Sequence, residues 1–323
     1  MPTLAEVLRA TSRTFAIGIE GLPHSLQEEM RLAYLILRVS DYLEDNTTLP
    51  PAEKATLLDF WADTLEGREP HPALLEHLAG TDDPSPDSMA AHHAEGILQG
   101  LRGLEAAPQA VISTHTRDST LGMARWVRRG PVFETEEDLD DYMHEVAGRV
   151  GYLITGLFSL ASPRVRSMET EMMGLGREFG LALQTVNVVR GIPSDVERGW
   201  FFIPMEFLPD TIRSGESFLA EENRGLAVSV VDRLLDKATR HFEAAEEYIR
   251  LLPRVRGRLR FFCLLPYFFG VRTLALSQGN PDVLLSEVKL SRKEVRSIAK
   301  RSAILGWSNA WISRYARSMT EMA

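Results

Sequence analysis

Two groups of oxygen-bearing side chains in this chain are spaced for work on a phosphate ester. In Asp41-Tyr42-Leu43-Glu44-Asp45, Asp41 and Asp45 stand four residues apart and Glu44 three from Asp41, so on a helix they share one face. Carboxylates that close repel one another unless a cation lies among them. Mg²⁺ suits such a cluster, because it takes oxygen ligands at about 2.0–2.1 Å and combines carboxylates, water and substrate phosphates. The competing explanation is a solvated acidic helix end ahead of the Asn46-Thr47-Thr48 turn. The second group lies in Gln184 to Gly199, where Asn187, Gly191 and Asp195 recur at every fourth position. On a helix they form a second polar stripe with a bare centre, and two facing stripes can hold a metal cluster and one diphosphate. Pro193 falls inside this segment. A proline in a helix interior costs about 3 kcal/mol, so a kink or loosened turn is expected near Asp195.

Arginines complete the chemistry. Arg13, Arg38 and Arg190 each lie in or beside one of these segments, Arg38 three residues before Asp41 and Arg190 three after Asn187. A guanidinium grips phosphate oxygens with two parallel donors and stabilises the charge that grows on a departing diphosphate. Structural salt bridging is the alternative for each of them. The residue types point to metal-assisted departure of a diphosphate.

Helices have to position these groups. Leu32, Ile36, Val39 and Leu43 recur at helical spacing, as do Tyr142, Val146, Val150, Leu153 and Leu157. No run of alternating strand residues competes, so the fold class is all-α. Loop signals stand at Asn46 to Pro51, Gly80 to Ser88, Gly130-Pro131 and Gly279-Asn280-Pro281. Asp82 to Ser88 is the best linker, but it is short, and later helices need partners from the first part of the chain. One domain, 1–323, is therefore expected. Ser291 to Met322 reads as a long basic amphipathic helix or a broken pair, docked through Val295, Ile298, Ile304 and Leu305.

Composition narrows the class further. A formal charge of −9 over 323 residues lacks the basic footprint of a nucleic-acid binder. The one cysteine, Cys263, rules out an internal disulfide framework and fits a reducing compartment. The N-terminal residues have no apolar core of signal-peptide length. The longest apolar run, Phe261 to Val271, falls short of the ~18–20 residues of a membrane span. A soluble, cytoplasmic protein without a transmembrane segment is expected.

Several motifs, taken in order, make the chain resemble the squalene synthase/phytoene synthase family, on its squalene synthase side. They are Ser12-Arg13-Thr14-Phe15, Tyr34 through Asp45, Gly122-Met123-Ala124, Tyr142 through Gly148 (YxxxVAG), Gln184 to Pro204, and Phe262 through Pro266. The resemblance implies the all-α isoprenoid synthase fold (class I terpenoid synthase), a helical bundle around a central cavity. It implies Mg²⁺ at Asp41, Glu44 and Asp45, with Asn187 and Asp195 as the second metal-binding set. It also implies diphosphate contacts from Arg13, Arg38 and Arg190, with Ser12 beside them. Tyr34 and Tyr142 match aromatic positions near the reacting carbons, and Tyr142 matches a tyrosine implicated in proton handling. The ring face of tyrosine attracts a carbocation, and its hydroxyl can relay a proton to departing diphosphate.

One departure stands out. Where the family carries N-x-x-x-D-x-x-E/D-D, this chain has Gly191 and Ser194 in place of two acids. What remains is similar to the asparagine–small–acid triad of class I terpene cyclases, which holds one Mg²⁺ on a single ionising diphosphate. The leading expectation is therefore Mg²⁺-dependent transfer of a prenyl group from an allylic diphosphate to a small aromatic, carbazole-like acceptor. Residues near Phe201-Phe202 and Phe261-Phe262-Tyr267 would shape the acceptor pocket or, equally, the core. The alternative is head-to-head condensation of two farnesyl diphosphates to presqualene diphosphate or squalene. A non-catalytic helical binding protein is the third reading.

Overall fold

The apolar stripe Leu32, Ile36, Val39 and Leu43 is fully buried along the helix His24–Glu44, as its period predicts. The structure is a computed structural model that describes residues 2–80, 86–254 and 257–321; the side chains of Arg13 and Pro86 fall outside that description, as does most of the expected linker. Helices dominate, and among the described residues the one extended pairing is a single bridge between Val132 and Phe201. The chain forms two compact units, Met1–Gly130 with Arg149–Met173, and Pro131–Gly148 with Gly174–Ala323.

In the first unit, His24–Glu44 packs against Pro51–Leu65, Pro86–His92, Ala94–Arg102 and Ala106–Arg129. Gly100 permits one of these crossings, since a Cβ there would stand 2.7 Å from a Leu32 methyl. The hydroxyls of Ser40 and Thr120 pair at 2.8 Å inside the core, which satisfies two polar groups that would be costly to bury alone. Trp61 and Trp126 fill the centre, both fully buried.

The second unit gathers Arg224–Leu251, Gly257–Ser277, Arg292–Leu305 and Asn309–Thr320. Alongside them run Glu136–Met143, a π turn over His144–Gly148, and the helix Glu169–Glu197 from Gly174 onward. A β-carbon on Gly180 would meet the Ala147 carbonyl oxygen at 2.2 Å, and one on Gly148 would meet Leu181 and Arg177. Paired glycines thus bring backbone onto backbone where the π turn crosses the long helix. The π turn also corrects the sequence reading of this segment. An i→i+5 turn holds more residues than a 3.6-residue turn, so the phase slips. Tyr142, Leu153 and Leu157 are buried, but Val146 and Val150 are only half-buried.

Of the two expected forms, the C-terminal stretch takes the broken pair, interrupted at Gly306 and restarted by Ser308, whose Oγ caps Trp311 N. Ile298 is 2% exposed and docks, whereas Ile304 is 59% exposed and does not. Among the described residues, Gly257–Ser277 is one helix long and apolar enough to cross a membrane, and 72% of that stretch is buried inside the protein. It is packed as a core helix. Reading only uninterrupted apolar residues shortened it to Phe261–Val271. Its Arg260, 1% exposed, anchors the chain on either side by donating to the carbonyls of Arg250, Leu252, Gly306 and Trp307 and to Asn309 Oδ1. Burial pushes the Cys263 thiol up, so it stays a protonated core group.

Candidate functional site

One cluster of expected site residues forms within the first unit. Ser12 caps the helix Arg13–Glu20, its Oγ accepting from Phe15 N at 3.2 Å. Tyr34 packs on Phe15 with ring centroids 5.6 Å apart, and the Arg38 guanidinium stands 6.0 Å from the Tyr34 ring centroid. Burial raises the Tyr34 hydroxyl above its ordinary range, while Arg38 and the hydroxyls of Ser12 and Thr11 pull it down. Arg38 binds two carboxylates at once, Asp41 at 2.9 Å and Asp87 at 2.5 Å. Asp87, from Pro86–His92, was not singled out in the sequence, because its pairing spans 49 positions.

The acidic motif divides. Asp41 is half-buried, and Asp45 caps the helix end with its N–H on the Asp41 carbonyl at 2.8 Å. Burial pushes the Asp41 carboxyl up to about 7; Arg38 opposes this, and Asp45 and Asp87 add to it. Glu44, expected on the same face, is 6% exposed, and its backbone carbonyl accepts from Lys54 Nζ at 2.9 Å.

The second polar stripe lies in the other unit. The helix Glu169–Glu197 continues through Pro193, so whatever kink or loosening the proline brings does not end it. Asn187 is exposed, with Nδ2 3.4 Å from Gln184 Oε1. Asp195 is 8% exposed and takes Arg198 at 2.5 Å. Its carboxylate lies over Gly191, where an added β-carbon would stand 2.5 Å from Asp195 Oδ2. Arg190 is ion-paired with Glu287, while its buried Nε has no hydrogen-bond partner. Arg190, Ser194, Glu197, Glu216 and Glu287 line a cavity of about 680 Å³.

Tyr142 sits in an aromatic group that sequence reasoning named only in part. Phe133 meets it edge-on at 5.5 Å, Phe202 lies at 5.1 Å, and Trp200 stacks at 6.2 Å. Trp200, which follows the turn at Gly199, was missed. Phe201 packs on Phe218, and Tyr267 packs on Phe179, Phe242 and Phe268 while its hydroxyl donates to Glu246 at 3.0 Å. The Tyr267 group is core. The side chain of Arg13 lies outside the described residues.

The donor chemistry on His24–Glu44 fits a hard divalent cation. Asp45 and Asp87 both act on Asp41, which Arg38 holds, and a cation would favour the charged Asp41 carboxylate that burial, first, and these two neighbours disfavour. Asp41, Glu44 and Asp45 carry the oxygens such an ion takes, Glu44 being the most buried of the three at 6% exposed. Among the described residues, no three His, Cys, Asp or Glu side chains are already gathered as a metal-binding group. Substrate oxygens and water would have to complete any coordination shell.

Comparison with known proteins gives the same direction. A family model described as squalene/phytoene synthase matches residues 8–294. Squalene synthase 1 of Arabidopsis thaliana is 28% identical over 299 residues, covering 92% of this chain and 70% of that protein. Squalene synthase of Rattus norvegicus is 30% identical over 302 residues, covering 90% and 67%. A solved complex of TcSQS with the ligand BPH1237 superposes with a TM-score of 0.85 at 23% identity, covering 98% of this chain and 90% of that one; at that identity it shows the shared isoprenoid synthase fold. The chain belongs to the squalene/phytoene synthase family and is a prenyltransferase.

Proposed function

We propose that this prenyltransferase joins two allylic diphosphates head to head, giving presqualene diphosphate or, with NADPH as reductant, squalene. The observation that carries the reading is the likeness to proteins named squalene synthases along 90% or more of this chain, through both polar motifs. This moves the aromatic-acceptor expectation to second place. One family match runs through both compact units, which supports a single functional domain over 1–323.

In this reading Asp41 and Asp45 hold a divalent cation against the diphosphate, with Asn187 and Asp195 as a second set. The family's use of divalent metal ions supports that assignment, and Mg²⁺ is the ion proposed. Bound there, it would neutralise diphosphate oxygens and ease departure of the leaving group. Arg38 would exchange Asp41 and Asp87 for phosphate oxygens, and Arg190 would exchange Glu287, each keeping a charge-assisted bond. Ser12 and Arg13 would contact the same diphosphate from the start of their helix. Tyr34 and Tyr142 would face the reacting carbons, Tyr142 passing the proton lost after carbon–carbon bond formation to the released diphosphate.

The second reading keeps one observation in its favour. With Gly191 and Ser194 in place of acids, the Asp195 carboxylate covers the space an aspartate at 191 would need, so this stripe holds one diphosphate less firmly than a fully acidic one. The test is product mass. Purified protein with Mg²⁺ and farnesyl diphosphate, with and without NADPH, should give a thirty-carbon product. No such product, with prenylation of a phenolic or carbazole acceptor instead, would overturn the proposal in favour of acceptor transfer.

A further inference from the structure

The basic stretch near the C-terminus carries more charge than docking requires. Residues 289–317 hold eight lysines and arginines against one acid, Glu294, in a chain whose formal charge is −9. Docking falls to apolar side chains such as Ile298 and Met319, each 2% exposed, and calls for no excess of cations. The helices Gly257–Ser277, Arg292–Leu305 and Asn309–Thr320, all in the second unit, enclose a cavity of about 300 Å³. That is the lower end of the size range of small-ligand sites. Its polar lining is Arg272, Glu294, Ser297, Arg301, Tyr315 and Ser318, and it shares no residue with the cavity at Arg190.

The charges in this cavity do not cancel. Glu294 is committed at both oxygens. Its Oε1 accepts from Arg272 Nε at 3.1 Å, and its Oε2 accepts from Ser291 N and Oγ at 2.9 and 2.8 Å in a capping box. The Arg272 side chain, 15% exposed, also donates Nη1 to the Met319 carbonyl at 3.0 Å. The Arg301 guanidinium stands 5.5 Å from the Tyr315 ring centroid. Among the described residues, Arg272 Nη2 has no hydrogen-bond partner and no carboxylate pairs with Arg301. The hydroxyls of Ser297 and Tyr315 bond to each other, which uses only one of their two hydrogens. Two guanidinium groups, one engaged carboxylate and a spare hydroxyl hydrogen therefore line a cavity walled on its apolar side by Ile298 and Met319.

We propose that this cavity binds a phosphate-type oxyanion, held by Arg272 and Arg301, at a site separate from the one that handles the reacting diphosphate. A guanidinium presents N–H donors in the geometry that phosphate oxygens accept. The free hydroxyl hydrogen of the Ser297–Tyr315 pair serves a further oxygen. Lysines and arginines along the same stretch draw anions toward the opening. The ligand is a phosphate group, free, on a small ester or on a lipid headgroup.

The test compares wild type, R301Q and S318D. Isothermal titration calorimetry at low ionic strength, without divalent metal, reads binding of inorganic phosphate and of glycerol 3-phosphate. Cosedimentation with phosphatidylcholine vesicles, with and without phosphatidic acid, reads binding of a headgroup. Wild type should bind at least one of these, with an affinity that falls as salt is raised. R301Q, which loses a charge-assisted contact, should bind roughly tenfold more weakly. S318D, which puts a carboxylate into the cavity, should abolish binding. Binding in solution identifies a free phosphate or ester, retention on phosphatidic acid vesicles alone identifies a headgroup, and either supports the site. A wild type that binds none of the three, or binding equal in all three proteins, would overturn the proposal. If one variant does not fold, the other decides alone, an unchanged affinity counting against the proposal.

Discussion

Gly180→Ala and Gly174→Ala sit six residues apart on one helix and should move stability in opposite directions. Alanine is favoured over glycine in a helix by about 1 kcal/mol, so with free space the substitution stabilises. At Gly174 nothing lies within 4 Å of the added β-carbon, and the melting temperature should rise by roughly 2–4 °C at about 2–4 °C per kcal/mol. At Gly180 the same carbon would stand 2.2 Å from the Ala147 oxygen and 2.6 Å from its carbonyl carbon. Ordinary contact begins near 3.4 Å, so the two backbones must part by more than an ångström. Backbone cannot swing aside as a side chain would. Overpacking costs typically 1–3 kcal/mol or more, and set against the helix gain, a net loss of about 2 kcal/mol is expected, or roughly 4–8 °C. Differential scanning calorimetry on both variants reads the effect directly. A G180A protein that melts at or above wild type would refute the close crossing, and with it the account of how the π turn is held.

Two other outcomes follow from particular contacts. Arg260→Met should lower stability by about 3–5 kcal/mol, because it leaves buried carbonyls without their charged donor; a urea midpoint within error of wild type would contradict the anchoring role. Gly191→Asp should force the Asp195 carboxylate to rotate and place two like charges at i, i+4, a cost of about 0.2–0.5 kcal/mol without metal. Mg²⁺ with inorganic diphosphate should then raise its melting temperature more than that of wild type, and an equal shift in both would mean that Asp195 does not face the cation.

Much of the frame is legible from spacing. The buried stripe of His24–Glu44 follows from period alone, and the YxxxVAG motif points to Gly148 before its crossing with Leu181 and Arg177 is seen. What the sequence hides is pairing over long separations and local departures from the α period. Nothing near Arg38 announces Asp87, and Arg190 and Glu287 are 97 positions apart. The π turn shifts the phase of Val146 and Val150, which no fixed period anticipates. Gly180 reads as a weak helix residue until its neighbour is known. The burial of Glu44 beside Lys54 is likewise invisible in the spacing of its motif.

The central claim is that Asp41 and Asp45 support metal-assisted loss of diphosphate from a prenyl substrate. Its most direct test is the rate of inorganic diphosphate release from farnesyl diphosphate by wild type and by Asp45→Asn, each titrated with Mg²⁺. The account predicts release that requires Mg²⁺ in wild type and falls at least about a hundredfold in the variant. Release that is independent of Mg²⁺, or equally fast without the Asp45 carboxylate, would contradict it.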